Sequence, residues 1–215
     1  KEKKFLEKIL LEKRKTVRDK KNYPLTLENP IDVDDLIKGI EVILNGQITM
    51  SEITKNFENE FSKFIGSKYA LMVNSGSSAN LLAFFSIINP LQKNRVKFGS
   101  ECIIPGLCWS TSLWPIVQTN LKPIFVDIDF NTFNLNINKL VEKISKDTKV
   151  VCAVHILGNS TNMLELTKII KEKDLILIED SCESLGSKFN NKYLGTFGKF
   201  GTYSFFISHQ ITSGE

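Results

Sequence analysis

The chain has 215 residues, 42% of them hydrophobic and 24% charged, with 12 glycines and 6 prolines, a composition that excludes disorder and collagen-like repeats and suffices for one sizeable domain. The formal net charge of +4 is uneven: residues 1–22 hold ten Lys or Arg against four acids, and the rest holds 18 basic and 20 acidic residues. The body is therefore not a polyanion binder, which argues against nucleic acid as a partner.

No apolar run approaches the ~20 residues of a bilayer span. The opening KEKKFLEKIL has neither the apolar stretch nor the small-residue cleavage site of a signal peptide. Cys102, Cys108, Cys152 and Cys182 are scattered with no CxxC pair, so buried thiols are expected rather than disulfides or metal ligands, in a cytoplasmic protein.

In chain order, residues 1–22 place Phe5, Leu6, Ile9 and Leu10 at helical spacing, the pattern of a basic amphipathic leader helix. The interleaved Glu2, Glu7 and Glu12 favour docking on the body or on a partner subunit over binding to phosphate. Tyr23-Pro24-Leu25 reads as extended. Asp32–Leu44 is a predicted helix, with Leu36, Ile40 and Ile43 on one side, acidic residues at its start and Gly46 after its end. Ile53–Ile65 is a second, carrying Phe57, Phe61 and Phe64 together. Gly66-Ser67 then breaks the chain before a predicted strand, Tyr69–Val73.

Beyond this point, strands are predicted at Cys102–Ile104, Pro123–Val126, Val150–His155, Leu175–Ile178 and Thr202–Phe206. Helices are predicted between them at Ser77–Ile88, Asn138–Ile144 and Met163–Glu172. Apolar strands separated by helices imply an α/β fold with a mostly parallel sheet covered on both faces. Ligands of such sheets bind beyond the carboxyl ends of the strands, which directs attention to Asn74–Asn80, Pro105–Ser112, Glu179–Glu183 and Ser204–Glu215.

The run Asn74-Ser75-Gly76-Ser77-Ser78-Ala79-Asn80 opens an apolar helix. Its small residues let backbone N–H groups approach an anion, although helix capping by Ser explains the same pattern. Asp180 ends an apolar strand, where a carboxylate either caps a helix or holds a pyridinium nitrogen protonated. Glu183, three residues on, could bond another ring substituent. Trp109 follows a strand as either a stacking aromatic or a core residue. Of two histidines, His155 reads as a packed or supporting residue and His209 lies in a loop.

Read together, NSGSSAN, IIPGLCWSTS, FVDID, HILGN, IEDSCESLG, GTFG and SFFISHQITSGE, in this order from about Tyr23 to the last residue, resemble the sugar aminotransferases among the fold-type I enzymes that use pyridoxal phosphate (PLP). The resemblance implies that Gly76 and Ser77 cradle the cofactor phosphate, with Ser204 as a second ligand. It implies that Trp109 stacks on the ring, Asp180 partners its nitrogen and Glu183 lies near its hydroxyl. No metal is implied.

One position departs from the aminotransferase pattern. Those enzymes carry a lysine that binds the cofactor covalently, and His209 stands in its place. The nearest lysines, Lys192 and Lys199, precede the motif. Imidazole makes no lasting Schiff base but changes charge between about pH 5 and 8, and so serves as a base at neutral pH.

This histidine marks the family's 3-dehydratase branch, with pyridoxamine phosphate, the amine form, as the working cofactor. The implied activity is removal of the C3 hydroxyl of a nucleotide-linked 4-keto-6-deoxyhexose, GDP-4-keto-6-deoxymannose favoured, in deoxysugar and O-antigen biosynthesis. L-Glutamate is the expected amino donor and a homodimer with shared sites the expected assembly. An aminotransferase using another lysine, or a non-catalytic binding relative, is the alternative. Residues 23–215 would form the cofactor-binding large domain, incomplete at its C-terminus, without the family's small C-terminal domain.

Overall fold

The computed structural model describes residues 31–49 and 51–213, together with Lys4, Phe5, Lys8, Ile9 and Glu12. Those five leader residues are helical. The rest of the leader reading, the Tyr23–Leu25 segment and Gly214-Glu215 lie outside the described residues.

Helix α1 (Val33–Leu44) starts from a reciprocal cap in which Asp32 Oδ1 accepts the Asp35 N–H and Asp35 Oδ2 accepts the Asp32 N–H. Helix α2 (Glu52–Ile65) ends on Gly66, whose φ of 76° lies in the left-handed region that glycine adopts without strain. The ring of Phe61 stacks on Phe57 and meets Tyr203 and Phe205 edge-on, which fixes α2 against the last described segment.

Five strands then build one parallel sheet: β1 (Glu101–Pro105), β2 (Lys122–Val126), β3 (Thr148–Val154), β4 (Ile176–Asp180) and, after a hairpin, β7 (Phe200–Thr202). Their order is β2-β1-β3-β4-β7. The hairpin strands β5 (Lys188–Phe189) and β6 (Lys192–Tyr193) are joined by Asn190-Asn191, both at positive φ, as a tight antiparallel turn requires.

Helices α3 (Gly76–Ile88), α4 (Ser110–Gln118), α5 (Ile137–Lys143) and α6 (Met163–Glu172) cover the sheet. Side-chain alternation divides the core into two layers. Cys102, Ile104, Cys152 and Ile178 pack with Phe84, Ile87 and Ile116 of α3 and α4 on one face. On the other, Ile103, Val151 and Leu177 pack with Leu140, Met163 and Leu166 of α5 and α6. Each such fully buried side chain contributes about 1.5–3 kcal/mol relative to exposure. No helix among the described residues is long and apolar enough to cross a membrane.

Three expectations change. Tyr69–Val73 is not a strand: it pairs with no other described segment, and Tyr69 and Leu71 are exposed. The last strand is Phe200–Thr202 rather than Thr202–Phe206. Its neighbour β4 ends at Asp180 opposite Thr202, so residues 203–206 run past the end of the sheet. Helix α4 has no counterpart among the predicted elements, and it carries Pro115 in its interior. Pro115 removes only one N–H, and the Thr119 and Leu121 N–H groups still reach the carbonyls of Pro115 and Ile116.

Candidate functional site

The carboxyl ends of the strands gather the starts of α3 and α4, the turn after β4 and the loop after β7. Ser75 caps α3, its Oγ accepting the Ser78 N–H. Gly76 follows, packed so closely that a Cβ there would lie 2.7 Å from Ser204 Cβ and 2.9 Å from Cys182 Sγ. Only glycine lets the positive end of this helix abut Ser204. First-turn N–H groups and the helix dipole make that end a place for an anion. Ser77 is exposed and its Oγ donates to Thr111 Oγ1 at 3.0 Å, tying the starts of α3 and α4 together. Gly76 and Ser204 thus meet, with Ser77 next to them at the start of α3.

Asp180 terminates β4 and is 5% exposed. Its Oδ2 accepts hydrogen bonds from Asn80 Nδ2 and Ser112 Oγ, both at 2.7 Å, and Oδ1 accepts the Cys182 N–H at 3.2 Å. Thr202 Oγ1 in turn donates to Asn80 Oδ1 at 2.6 Å. Burial, and next the Asp180 charge, push the half-buried Cys108 thiol above its usual range.

Glu183 Oε2 accepts the N–H of Leu157, a residue held at φ 53° in the turn after β3. Trp109 immediately precedes α4, one turn before Ser112, with its side chain exposed. His209 is half-buried, its N–H bonded to Phe206 O and its ring edge-on to Phe206. The adjoining Gln210 Nε2 donates to Glu183 O at 2.7 Å, which ties the His209 segment to the turn after β4. Lys192 lies over the Phe197 ring at 4.5 Å, and Phe197 packs with the core layer on the opposite face from Asp180.

His155 is fully buried and supportive, as expected. Its Nε2 lies 3.1 Å from Glu179 Oε2, and Glu179 also accepts the N–H groups of Gly195, Phe197 and Gly198. The adjacent carboxylates of β4 therefore diverge: Glu179 anchors the turn before β7, while Asp180 faces α3 and α4.

Sequence reasoning assigned no role to Asn80, Ser112, Thr202 or Glu179. A signal existed for Asn80: an amide one turn after Gly76, in the otherwise apolar Ala79–Ala83 run of a helix covering the sheet. A flat molecule with a phosphate at one end and a basic ring nitrogen at the other fits this donor and acceptor set. Among the described residues no group of three or more His, Cys, Asp or Glu is gathered for a metal.

The profile of the DegT/DnrJ/EryC1/StrS aminotransferase family matches residues 31–215. The chain is 46% identical over 195 residues to GDP-4-keto-6-deoxy-D-mannose 3-dehydratase of Escherichia coli O55:H7, covering 90% of this chain and 50% of that protein. It is 40% identical over 194 residues to the enzyme of the same name from Yersinia pseudotuberculosis, covering 90% and 49%. A crystal structure of GDP-4-keto-6-deoxymannose-3-dehydratase with a trapped PLP-glutamate geminal diamine is similar with a TM-score of 0.84 and 46% identity, covering 90% of this chain and 50% of that one. The chain spans about half the length of these relatives, and its α/β fold is that of the fold-type I large domain.

Proposed function

The chain belongs to the DegT/DnrJ/EryC1/StrS aminotransferase family, and on that footing we propose that the protein it forms part of is a PLP- and pyridoxamine phosphate-dependent 3-dehydratase. Its substrate is a nucleotide-linked 4-keto-6-deoxyhexose, GDP-4-keto-6-deoxymannose in the first instance, and its product serves deoxysugar and O-antigen assembly. The observation that carries this reading is His209, an imidazole where aminotransferases place their cofactor-binding lysine, in a chain 46% identical to a 3-dehydratase.

The cofactor would be held with its phosphate at Gly76, Ser77 and Ser204, its ring against Trp109, and Glu183 beside the ring hydroxyl. Bound there, it supplies an amine for the sugar ketone and a conjugated ring that takes up electrons while the neighbouring C–O bond breaks. Asp180 keeps a proton on the ring nitrogen. His209 has no amine with which to tether the ring, so its imidazole is available to accept a proton from the carbon that bears the cofactor amine. L-Glutamate restores that amine, and two subunits share each site. Residues 23–215 act as the cofactor-binding large domain, with residues 1–22 as a leader. Four cysteines in no disulfide suit work in the reducing cytoplasm.

The test uses the intact protein with pyridoxamine phosphate and GDP-4-keto-6-deoxymannose. Ammonia and a sugar lighter by one oxygen are expected in equal amounts, and their absence removes the proposal. His209→Lys abolishes this dehydration and yields a cofactor adduct that borohydride fixes on the new lysine. Full dehydration by that variant contradicts the role given to His209.

A further inference from the structure

The two oxygens of Asp180 are held unequally. Oδ2 receives two short side-chain bonds, while Oδ1 receives a single longer backbone one. Short bonds to a carboxylate are the strong, charge-assisted kind, so Oδ2 is engaged and the lone pairs of Oδ1 remain for an incoming donor. The donors are buried: Asn80 is 2% exposed and Ser112 1%. An amide in an apolar layer is costly unless both ends are bonded.

Thr202 decides which end of the Asn80 amide faces which partner. A hydroxyl has one hydrogen, and that of Thr202 points at Asn80 Oδ1 at 2.6 Å rather than at Glu179 O at 3.4 Å. With its oxygen occupied, Asn80 must turn its nitrogen to Asp180. The relay Thr202→Asn80→Asp180, joined by Ser112, links β7, α3, β4 and α4, whose ends make the site.

We propose that Asn80, oriented by Thr202, is a positioning residue that with Ser112 occupies Asp180 Oδ2 and so presents Oδ1 to the ring nitrogen of the bound cofactor. This rests on Asp180 being that nitrogen's partner. Without the relay the carboxylate turns about its last bond and offers either oxygen, and the ring nitrogen loses its proton more readily.

The intact protein loaded with pyridoxal phosphate tests this through the pH titration of the bound cofactor's absorption band. Its affinity is measured in parallel by fluorescence. Asn80→Leu moves the titration midpoint to lower pH by about one unit, a tenfold change in proton affinity, and weakens binding about tenfold. Thr202→Val, which never touches the cofactor, moves the midpoint the same way, whereas Thr202→Ser keeps the wild-type value. The double variant Asn80→Leu/Thr202→Val shifts no further than Asn80→Leu alone, because both break one relay. If Asn80→Leu fails to fold, the contrast between Thr202→Val and Thr202→Ser decides. Equal midpoints in Thr202→Val, Thr202→Ser and wild type overturn the proposal. A wild-type protein that binds no pyridoxal phosphate instead overturns the reading of Asp180 beneath it.

Discussion

Replacing Gly76 with alanine tests the cradle directly. The new Cβ falls 2.7 Å from Ser204 Cβ, 2.9 Å from Cys182 Sγ and 3.1 Å from Ser204 Oγ. Carbon atoms in contact prefer about 3.5–4.0 Å, so α3 and the loop after β7 must part by roughly 1 Å. A Cβ next to the backbone offers no flexible side chain that could yield. Overpacking of this kind costs about 1–3 kcal/mol, and a chain of this size loses about 2–4 °C in melting temperature per kcal/mol.

The widened cradle also loses anion contacts with the helix end that contribute up to ~2 kcal/mol, which weakens pyridoxal phosphate binding by roughly up to thirtyfold. The assay is thermal unfolding of the intact protein together with fluorescence titration by pyridoxal phosphate. Gly39→Ala is the control: Gly39 is exposed inside α1, and nothing lies within 4 Å of a Cβ there. That change stabilises by about 0.5–1 kcal/mol and leaves cofactor affinity alone. Wild-type melting and affinity in Gly76→Ala refute the steric argument.

Other perturbations probe the supports of the site. Glu179→Ala strands three backbone N–H donors bonded at 2.6–2.8 Å and the imidazole of His155. A loss of about 4 kcal/mol or more is expected in urea unfolding, with Glu179→Gln intermediate; a wild-type midpoint for Glu179→Ala removes the anchoring role. Burial, and next the Glu179 charge, raise the Tyr203 phenol above its usual range. Its contribution is therefore complete below the unfolded pKa of about 10 and declines as pH rises beyond it. Tyr203→Phe forfeits the 2.6 Å bond to Leu194 O, about 0.5–1.5 kcal/mol at pH 7, and flattens the alkaline decline in urea midpoints above about pH 10. Burial raises the Cys102 and Cys152 thiols, so a thiol reagent at pH 8 labels them only after unfolding. Rapid labelling of the folded protein contradicts that packing.

Local pattern carried much of the architecture. Apolar residues three and four apart mark α1, α2, α3 and α6 because a helix buries one stripe, and short apolar runs mark β1 to β4 because both faces of the sheet are covered. The failures share a cause. Tyr69–Val73 has the residues of a strand, but a strand exists only where a neighbour bonds to it. β7 is short because β4 stops beside it, and α4 accommodates Pro115 at the loss of one N–H, its C-terminal bonds to Pro115 O and Ile116 O being kept.

Gly76, Ser77, Trp109, Asp180, Glu183, Ser204 and His209 stand out along the chain because each follows the end of an apolar segment, where a parallel sheet exposes its polar residues. Residue type left a capping or packing reading open beside a binding one at most of these positions, and only the joint resemblance to the sugar aminotransferases implied the roles proposed above. How Asp180 is held could not be read this way. Its donors Ser112 and Asn80 lie 68 and 100 positions from it, and Thr202 lies 122 from Asn80. Periodicity reports which face a residue occupies over a few turns. Strand register and helix packing alone bring distant hydroxyls and amides within 2.7 Å of one carboxylate oxygen, and they do so because groups buried there are stable only when bonded to one another.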